Sequence, residues 1–478
     1  MCDLHLPFDK SAIQYQALDF AVDSIKKRSP DLIIFAGDAV CDGNKDNYNY
    51  FLDKFCNIDI PFLYIPGNSD LRDPNSISSV QKLASPALTA IGDTTIYALN
   101  DSDGIISEEQ LHLIGNANGK SIVFMHHPFD ALHPEYQKSM EAWRISHPDT
   151  LVFHAHMHLF ERHGNTVSLP ALDPDKSIGE EPCILYFDTD SQNIEKDHFP
   201  CPIPNDFIDY LGVSCFRLSD IETAIKHKLK YLELRPGACK FDYSKLSDLI
   251  GKWKTAGGIG LSIHLPDIEM KDGEPFSAPD YDQLINIGKS LKANRFTQHV
   301  PKISVEEADE KSLHAIADFI CRRLDNFDTD LTIGIENMHM TAGEFPDSRR
   351  RYGYVPEECA HFAELLAKKC KHKVGINFDI GHARNNAPFS QKYQIGTWMS
   401  MLGDQFVGYH IHQVTNNNGA FENHVAITSN YGSLISYASL FRLWQDGTVA
   451  KAPLILEMRP EGEYEVSLNT FYTSRCQV

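Results

Sequence analysis

Val374-Gly-Ile-Asn-Phe-Asp-Ile-Gly-His-Ala383 begins as a mostly apolar run, closes it on Asp379, and offers His382 three residues later. A short apolar run ending in a polar turn is the pattern of a strand buried on both faces, wet only at its end. The pattern recurs on both sides. Runs at 213–216, 231–234, 260–264, 296–299, 332–336, 374–379, 407–410 and 454–457 read as strands, and helical spacing at 244–255, 312–324 and 357–370 lies between them. Eight strands alternating with helices over about 275 residues predict a (β/α)8 barrel.

Barrel chemistry sits where the strands end. The expected third to eighth strands finish on His264, His299, Glu336, Asp379 with His382, His410 and Glu457, and Glu422 and His424 follow the seventh. Five histidines and four carboxylates exceed the needs of one tetrahedral ion. They suffice for two or three ions that share bridging carboxylates. Glu233 and Arg235 end the second strand, where they either face substrate or close a salt bridge on the rim. Arg384 and Arg459, near Asp379 and Glu457 in the chain, are further expected substrate contacts. His154, His339 and His412 are expected behind the ligands or in the core.

Upstream of the barrel, Pro200, Pro202 and Pro204 fall within five positions. Proline fixes φ and removes a donor, so this stretch marks a boundary. Residues 1–199 and 206–478 are expected to form two domains joined by 200–205. The first also alternates helix and strand patterns, with a helix at 12–28 and strands at 32–35, 62–65, 95–99, 121–125, 151–153 and 183–187. Its strand ends carry one type of chemistry: Asp3-Leu-His5, Gly37-Asp38 with Gly43, Gly67-Asn68-Ser-Asp70, His126-His127-Pro128 and His156-Met-His158. Aspartate, asparagine and histidine together suit Mn, Fe or Zn. Both domains are thus read as α/β.

Composition narrows the function. The chain has 478 residues, 42% hydrophobic and 23% charged, as expected for globular domains with sizeable cores. No apolar run is long enough to span a membrane, the N-terminus does not read as a signal peptide, and the eleven cysteines form no C-x-x-C pair. A cytoplasmic protein with reduced thiols is expected. The net charge is −21, and residues 1–200 hold 30 acidic against 14 basic residues. Bulk charge therefore argues against a duplex-gripping protein and leaves room for a local, metal-assisted site. Of the 22 histidines, nine fall on candidate metal-ligand positions, four in the first half (His5, His126, His156, His158) and five in the second.

The blocks Asp3-x-His5, Gly37-Asp38 with Gly43, Gly67-Asn68, His126-x-Pro128 and His156-x-His158 resemble the calcineurin-like metallophosphoesterase family over roughly residues 1–195. The resemblance implies an α/β sandwich. It implies that Asp3, His5 and His158 hold one divalent ion, that Asp38 bridges, and that Asn68, His126 and His156 hold a second. A metal-bound hydroxide would attack phosphorus. Two departures stand out. Only Met1-Cys2 precedes the first block, where the family has a hydrophobic strand, and Ser69 stands where the family carries an acid histidine. Either Asp70 or His127 is therefore expected to protonate the leaving group, or the site prefers good leaving groups.

The second half resembles the xylose-isomerase-like barrels, and within them endonuclease IV (the family 2 AP endonucleases), over about residues 205–465. Ser262-Ile-His264, Gln298-His-Val-Pro301, Ile335-Glu-Asn337, Asn377–Ala383, Tyr409-His-Ile-His412, Glu422-Asn-His424 and Ile455-Leu-Glu457 carry the likeness. It implies two or three Zn (or Mn) ions. His264, His299 and Glu336 would serve one, Asp379, His382, His410 and Glu457 the shared ions, and Glu422 with His424 the third, with Glu336 also catalytic. Glu422 replaces the usual aspartate, and His412-Gln413 an Asn-Asp pair. The loop 416–419 and the insert 340–354, with Arg349, Arg350 and Arg351, are particular to this chain; the arginines either contact phosphate or sit in solvent.

Together these features predict a two-centre phosphoesterase acting on nucleic acids, nucleotides or other phosphorylated small molecules. Two alternatives remain. One fuses a phosphoesterase to a metal-dependent sugar isomerase or epimerase. The other joins a degenerate phosphoesterase scaffold to an active barrel.

Overall fold

The computed structural model describes residues 1–475 apart from 76, 78–79, 81–86, 240, 279, 342 and 418–419. The chain divides into two compact units. The first comprises Met1–Cys201 with Tyr431–Ser439, and the second Pro202–Asn430 with the chain from Leu440. The division falls inside the proline-rich stretch, and residues 431–439 go with the first unit.

In the first unit, β1 (Ile33–Ala36) and β2 (Phe62–Ile65) pair in parallel. A six-stranded sheet runs in the order β3–β4–β5–β6–β8–β7. Its strands are β3 (Ala87–Ile91), β4 (Thr94–Ala98), β5 (Ser121–Met125), β6 (Leu151–His154), β7 (Glu161–His163) and β8 (Thr166–Ser168). β9 (Cys183–Phe187) and β10 (Ile194–His198) form an antiparallel pair. Strand alternation sends Val123 and Val152 into one apolar cluster with Met140 and Trp143, and Ile122 and Phe153 into another with Ile65 and Leu169. Both sheet faces are therefore covered, which is why β5 and β6 are continuously apolar.

The short start of the chain is still held in place. Ala36 donates to the Met1 carbonyl (2.9 Å), Asp3 to Gly37 O (2.9 Å) and Leu172 to Cys2 O (3.1 Å). Residues 1–3 thus lie as a stub between β1 and the 171–173 segment. These bonds, with that of the His5 amide to Asp38 O (2.9 Å), fix the backbone that carries Asp3 and His5.

The second unit is a closed barrel of eight parallel strands. They are β11 (Leu211–Cys215), β12 (Tyr231–Leu234), β13 (Gly260–His264), β16 (Arg295–His299), β17 (Thr332–Glu336), β18 (Lys373–Asp379), β19 (Phe406–Ile411) and β22 (Leu454–Leu456). Two hairpins interrupt this order: β14 (Glu269–Lys271) with β15 (Glu274–Phe276), and β20 (Gln413–Asn417) with β21 (Ala420–Val425). Register aligns the chemistry, with His299 opposite Glu336 and Asp379 opposite His410. Asp242, Asp280 and Asp309 cap the helices Tyr243–Thr255, Tyr281–Leu291 and Glu310–Leu324 by accepting first-turn amides. The eight strands read from sequence are all present. The two hairpins, β7, β8 and β10 are short or polar and had no such signal, whereas β3, apolar except for Thr89, was missed.

No helix among the described residues is long and apolar enough to cross a membrane. Among the described residues no cysteine forms a disulfide.

Two candidate metal centres

In the first unit, polar residues converge where the strands end. Asp38 Oδ2 lies 3.0 Å from His5 Nε2, and its Oδ1 lies 3.6 Å from His126 Nε2 and accepts the Ser69 amide (2.8 Å). Asp38 thus sits between two imidazoles, where a bridging carboxylate belongs. Asp3, His5 and His158 bring one donor atom each within 4.8 Å of one another, and so do His126, His127 and His156. Asn68 Oδ1 lies 3.2 Å from His126 Nε2. All seven expected ligands of this centre are thereby gathered.

Backbone carbonyls fix the tautomers. A carbonyl only accepts, so His126 Nδ1 carries the proton toward Ala36 O (2.9 Å) and leaves the Nε2 lone pair for the centre. His127 likewise donates Nδ1–H to Asp101 O (2.8 Å). Asp101 and Asp173 are contributors the motifs did not mark. The Asp101 carboxylate accepts the amides of His126 (2.8 Å) and His127 (2.6 Å). Asp173 places Oδ2 3.4 Å from His5 Nδ1 and takes a hydrogen bond from Gln14 (2.9 Å). Both lie in loops whose spacing to the motifs is irregular.

Electrostatics follow from burial and proximity. Burial pushes the Asp38 carboxyl up, but His126 and His5 outweigh it and hold its pKa well below the carboxylate range. Burial pulls His126 down, while Asp38, Asp3 and Asp101 together push it up to about 9. His156, lowered by burial and then by His126 and His127, falls to about 4.

Asp70 is tied to the backbone of its own loop and the next. Its Oδ2 accepts from Tyr64 Oη (2.6 Å) and Gly67 N (2.8 Å), and its Oδ1 from Val40 N (3.0 Å). It is fully buried and ties two loops together. A side chain committed to three donors braces these loops, while burial and then the Asp38 charge push its pKa up to about 6. His127 is left with a free Nε2 near His156, their ring centroids 4.7 Å apart.

In the barrel, Glu336 is the hub. Its Oε2 lies 3.2 Å from His264 Nε2, and its Oε1 3.5 Å from His299 Nε2 and 3.2 Å from His410 Nδ1. Glu336, Asp379, His410 and Glu457 form a wholly buried group with donor atoms within 4.8 Å of one another. Asp379 ends β18 and caps the helix Ile380–Arg384 by accepting the His382 amide (2.7 Å). That strand-to-helix turn brings Asp379 and His382 to one rim. His382 donates Nδ1–H to Asn337 O (3.0 Å) and His264 to Leu265 O (3.0 Å), so each turns the other ring nitrogen away from the backbone, that of His264 toward Glu336. Asp267, in the loop after β13, orients His299 through Nδ1 at 2.6 Å. Burial lowers His299, but Glu336 and Asp267 push it up to about 10.

Other expectations change. Glu233 turns into the barrel. It is buried, accepts from Thr297 (2.6 Å) and stands 3.1 Å from His410 Nε2 inside the barrel. Arg235 closes the rim salt bridge, 2.5 Å from Glu457. Arg384 is half-buried and Arg459 exposed. Glu422 is exposed on β21, whereas His424 two residues on is buried. His339 packs its ring 4.8 Å from His382. Each arginine of the run has a carboxylate partner: Arg349 pairs with Asp347 (2.6 Å), Arg350 with Glu358 (2.6 Å) and Arg351 with Glu344 (3.6 Å). Of the loop 416–419, residues 418 and 419 lie outside the described residues.

The donor sets fit cations. Asp3 Oδ1, Glu336 Oε1, Asp379 Oδ2 and His424 Nδ1 are buried with no hydrogen-bond partner. Buried acceptors without donors are costly unless a cation or proton meets them.

Residues 2–166 match the family model of the calcineurin-like phosphoesterases. A "Probable cyclic nucleotide phosphodiesterase" of Moraxella catarrhalis is 36% identical over 72 residues, 15% of this chain and 26% of that protein. One of Xenorhabdus bovienii is 29% identical over 134 residues, 24% of this chain and 53% of that protein. The chain thus spans about a quarter and about half of these relatives. Over 56% of the chain, the structure is similar to endonuclease IV of Thermus thermophilus (TM-score 0.38, 14% identity, all of that chain covered). It is also similar over 56% to a D-psicose 3-epimerase of Clostridium cellulolyticum (TM-score 0.38, 12% identity, 98% of that chain).

Proposed function

We propose that this chain is a metal-dependent phosphoesterase with two hydrolytic centres, dinuclear in the first unit and trinuclear, of zinc class, in the barrel. One observation carries the reading: each centre places a buried carboxylate between imidazoles, Asp38 between His5 and His126, and Glu336 among His264, His299 and His410. Divalent ions bound there supply charge against the phosphoryl oxygens and lower the pKa of water.

The remaining roles belong to the chain. Asp38 and Glu336 stay ionised because the surrounding imidazoles outweigh burial. Asp101 holds His126 and His127 by their amides, and His127, once its Nε2 has also taken up a proton, would pass that proton to a leaving oxygen. Asp267 orients His299, and Arg235 steadies Glu457. Arg459, on the rim two residues past Glu457, contacts the substrate phosphate.

The substrate class is nucleotide-sized phosphodiesters or monoesters, including cyclic nucleotides and short single strands. The acidic balance and the neutralised arginine run both disfavour a long duplex. A panel of cyclic nucleotides, dinucleotides, abasic DNA and RNA, run with wild type, Asp38→Ala and Glu336→Ala, tests this. Turnover of small phosphoesters, lost in part with each variant, supports the reading; no turnover of any phosphoester overturns it. A second reading rests on the compactness of the Glu336, Asp379, His410 and Glu457 group, which alone is enough for one ion and an isomerase. A single barrel ion with no phosphoesterase loss in Glu336→Ala would favour it.

A further inference from the structure

We propose that the third cation position of the barrel is closed by His412, with Asp379, His424 and His382, and not by Glu422. The proposal rests on the multi-ion reading of the barrel. His412 Nε2 lies 3.2 Å from Asp379 Oδ1. The His412 and His424 ring centroids are 4.2 Å apart, and His382 lies 6.4 and 5.9 Å from them. All four side chains are buried, whereas Glu422 is exposed.

Three further observations point the same way. His412 Nδ1 lies 3.1 Å from Gln413 O, as Nδ1 of His264 and His382 lies against a backbone carbonyl, which turns the His412 Nε2 toward the Asp379 carboxylate of the centre. His424 Nδ1 is buried without a hydrogen-bond partner. The His412 ring also lies against bare backbone, since a Cβ on Gly381 would overlap it. Glu422 is turned away for a local reason. His424 adopts left-handed backbone (φ 61°) and the β20–β21 register shifts near Gln413, so the alternation that would set residues 422 and 424 on one face is broken. Imidazoles with one carboxylate select Zn-, Fe- or Co-class ions over Mg.

The test counts ions in the full chain by elemental analysis after zinc loading, with the visible spectrum of the cobalt-substituted protein as a second readout. His412→Ala is expected to lose one ion per chain, His424→Ala the same one, and the double variant no more. Glu422→Ala is expected to lose none, and magnesium in excess to displace none. His412→Gln is the key control, because it keeps the shape and a donor toward Asp379 but removes the imidazole; it is expected to lose the ion and its cobalt band. Loss of an ion in Glu422→Ala with none lost in His412→Gln overturns the proposal. So does retention in His412→Gln alone: the His424 amide, also 3.1 Å from Nδ1, would then fix the ring as a mere brace for Asp379. A wild-type barrel with a single ion, unchanged by all these variants but lost in Glu336→Ala, overturns the underlying multi-ion reading instead.

Discussion

Asp3, His5, Asp38, His156, His158 and His424 all have positive φ, between 48° and 69°. Left-handed backbone costs an L-residue roughly 1–2 kcal/mol, and such strain collects where function holds it. Six candidate ligands in that region indicate a chain bent to aim side chains inward. Two predictions belong to this scale. Removing the orienting carboxylate in Asp267→Ala leaves His299 free to rotate and is expected to weaken zinc binding about 10–100-fold, read by competition with a chromophoric chelator. Unchanged affinity would make the 2.6 Å contact incidental. Asp70→Asn turns an amide against the Gly67 N–H and is expected to cost about 1–3 kcal/mol of stability, with turnover per folded molecule kept. A stable variant with lost turnover and a shifted pH profile would restore Asp70 as an acid.

At the scale of elements, strand ends decide what sequence reveals. Runs such as Ile333–Ile335 or Phe378 are buried, so a ligand at the run's end stands out. That is how Glu336, Asp379 and His410 were legible. Asp101, Asp173 and Asp267 were not, because they reach the centres from loops with no period. The exposure of Glu422 and the burial of His412 were hidden by one left-handed residue and a register shift, which no pattern of residue types records. Gly67 tests the element logic. Its absent side chain leaves space that Asp38 Oδ1 and the His126 ring occupy. Gly67→Ala is expected to abolish ion binding in the first unit while the barrel's ions remain, and full retention there would show that the loop yields.

For the whole molecule, composition carried real information. The histidine excess resolves into two clusters, one per unit, and the acidic excess lies mostly in the first 200 residues. The division near residue 200 was legible from three prolines. The return of residues 431–439 to the first unit was not, because it depends on distant contacts: Gly179 N to Tyr431 O, Ser436 to Ser177, and Ser439 to Asp175. The central claim is that both units hydrolyse phosphoesters independently. The most direct measurement is the rate on bis(p-nitrophenyl) phosphate for wild type, Asp38→Ala, Glu336→Ala and the double variant, each confirmed folded. The account predicts that each single variant keeps a distinct part of the rate and that the double variant keeps none; a single variant that abolishes all activity, or one that loses nothing, would contradict it.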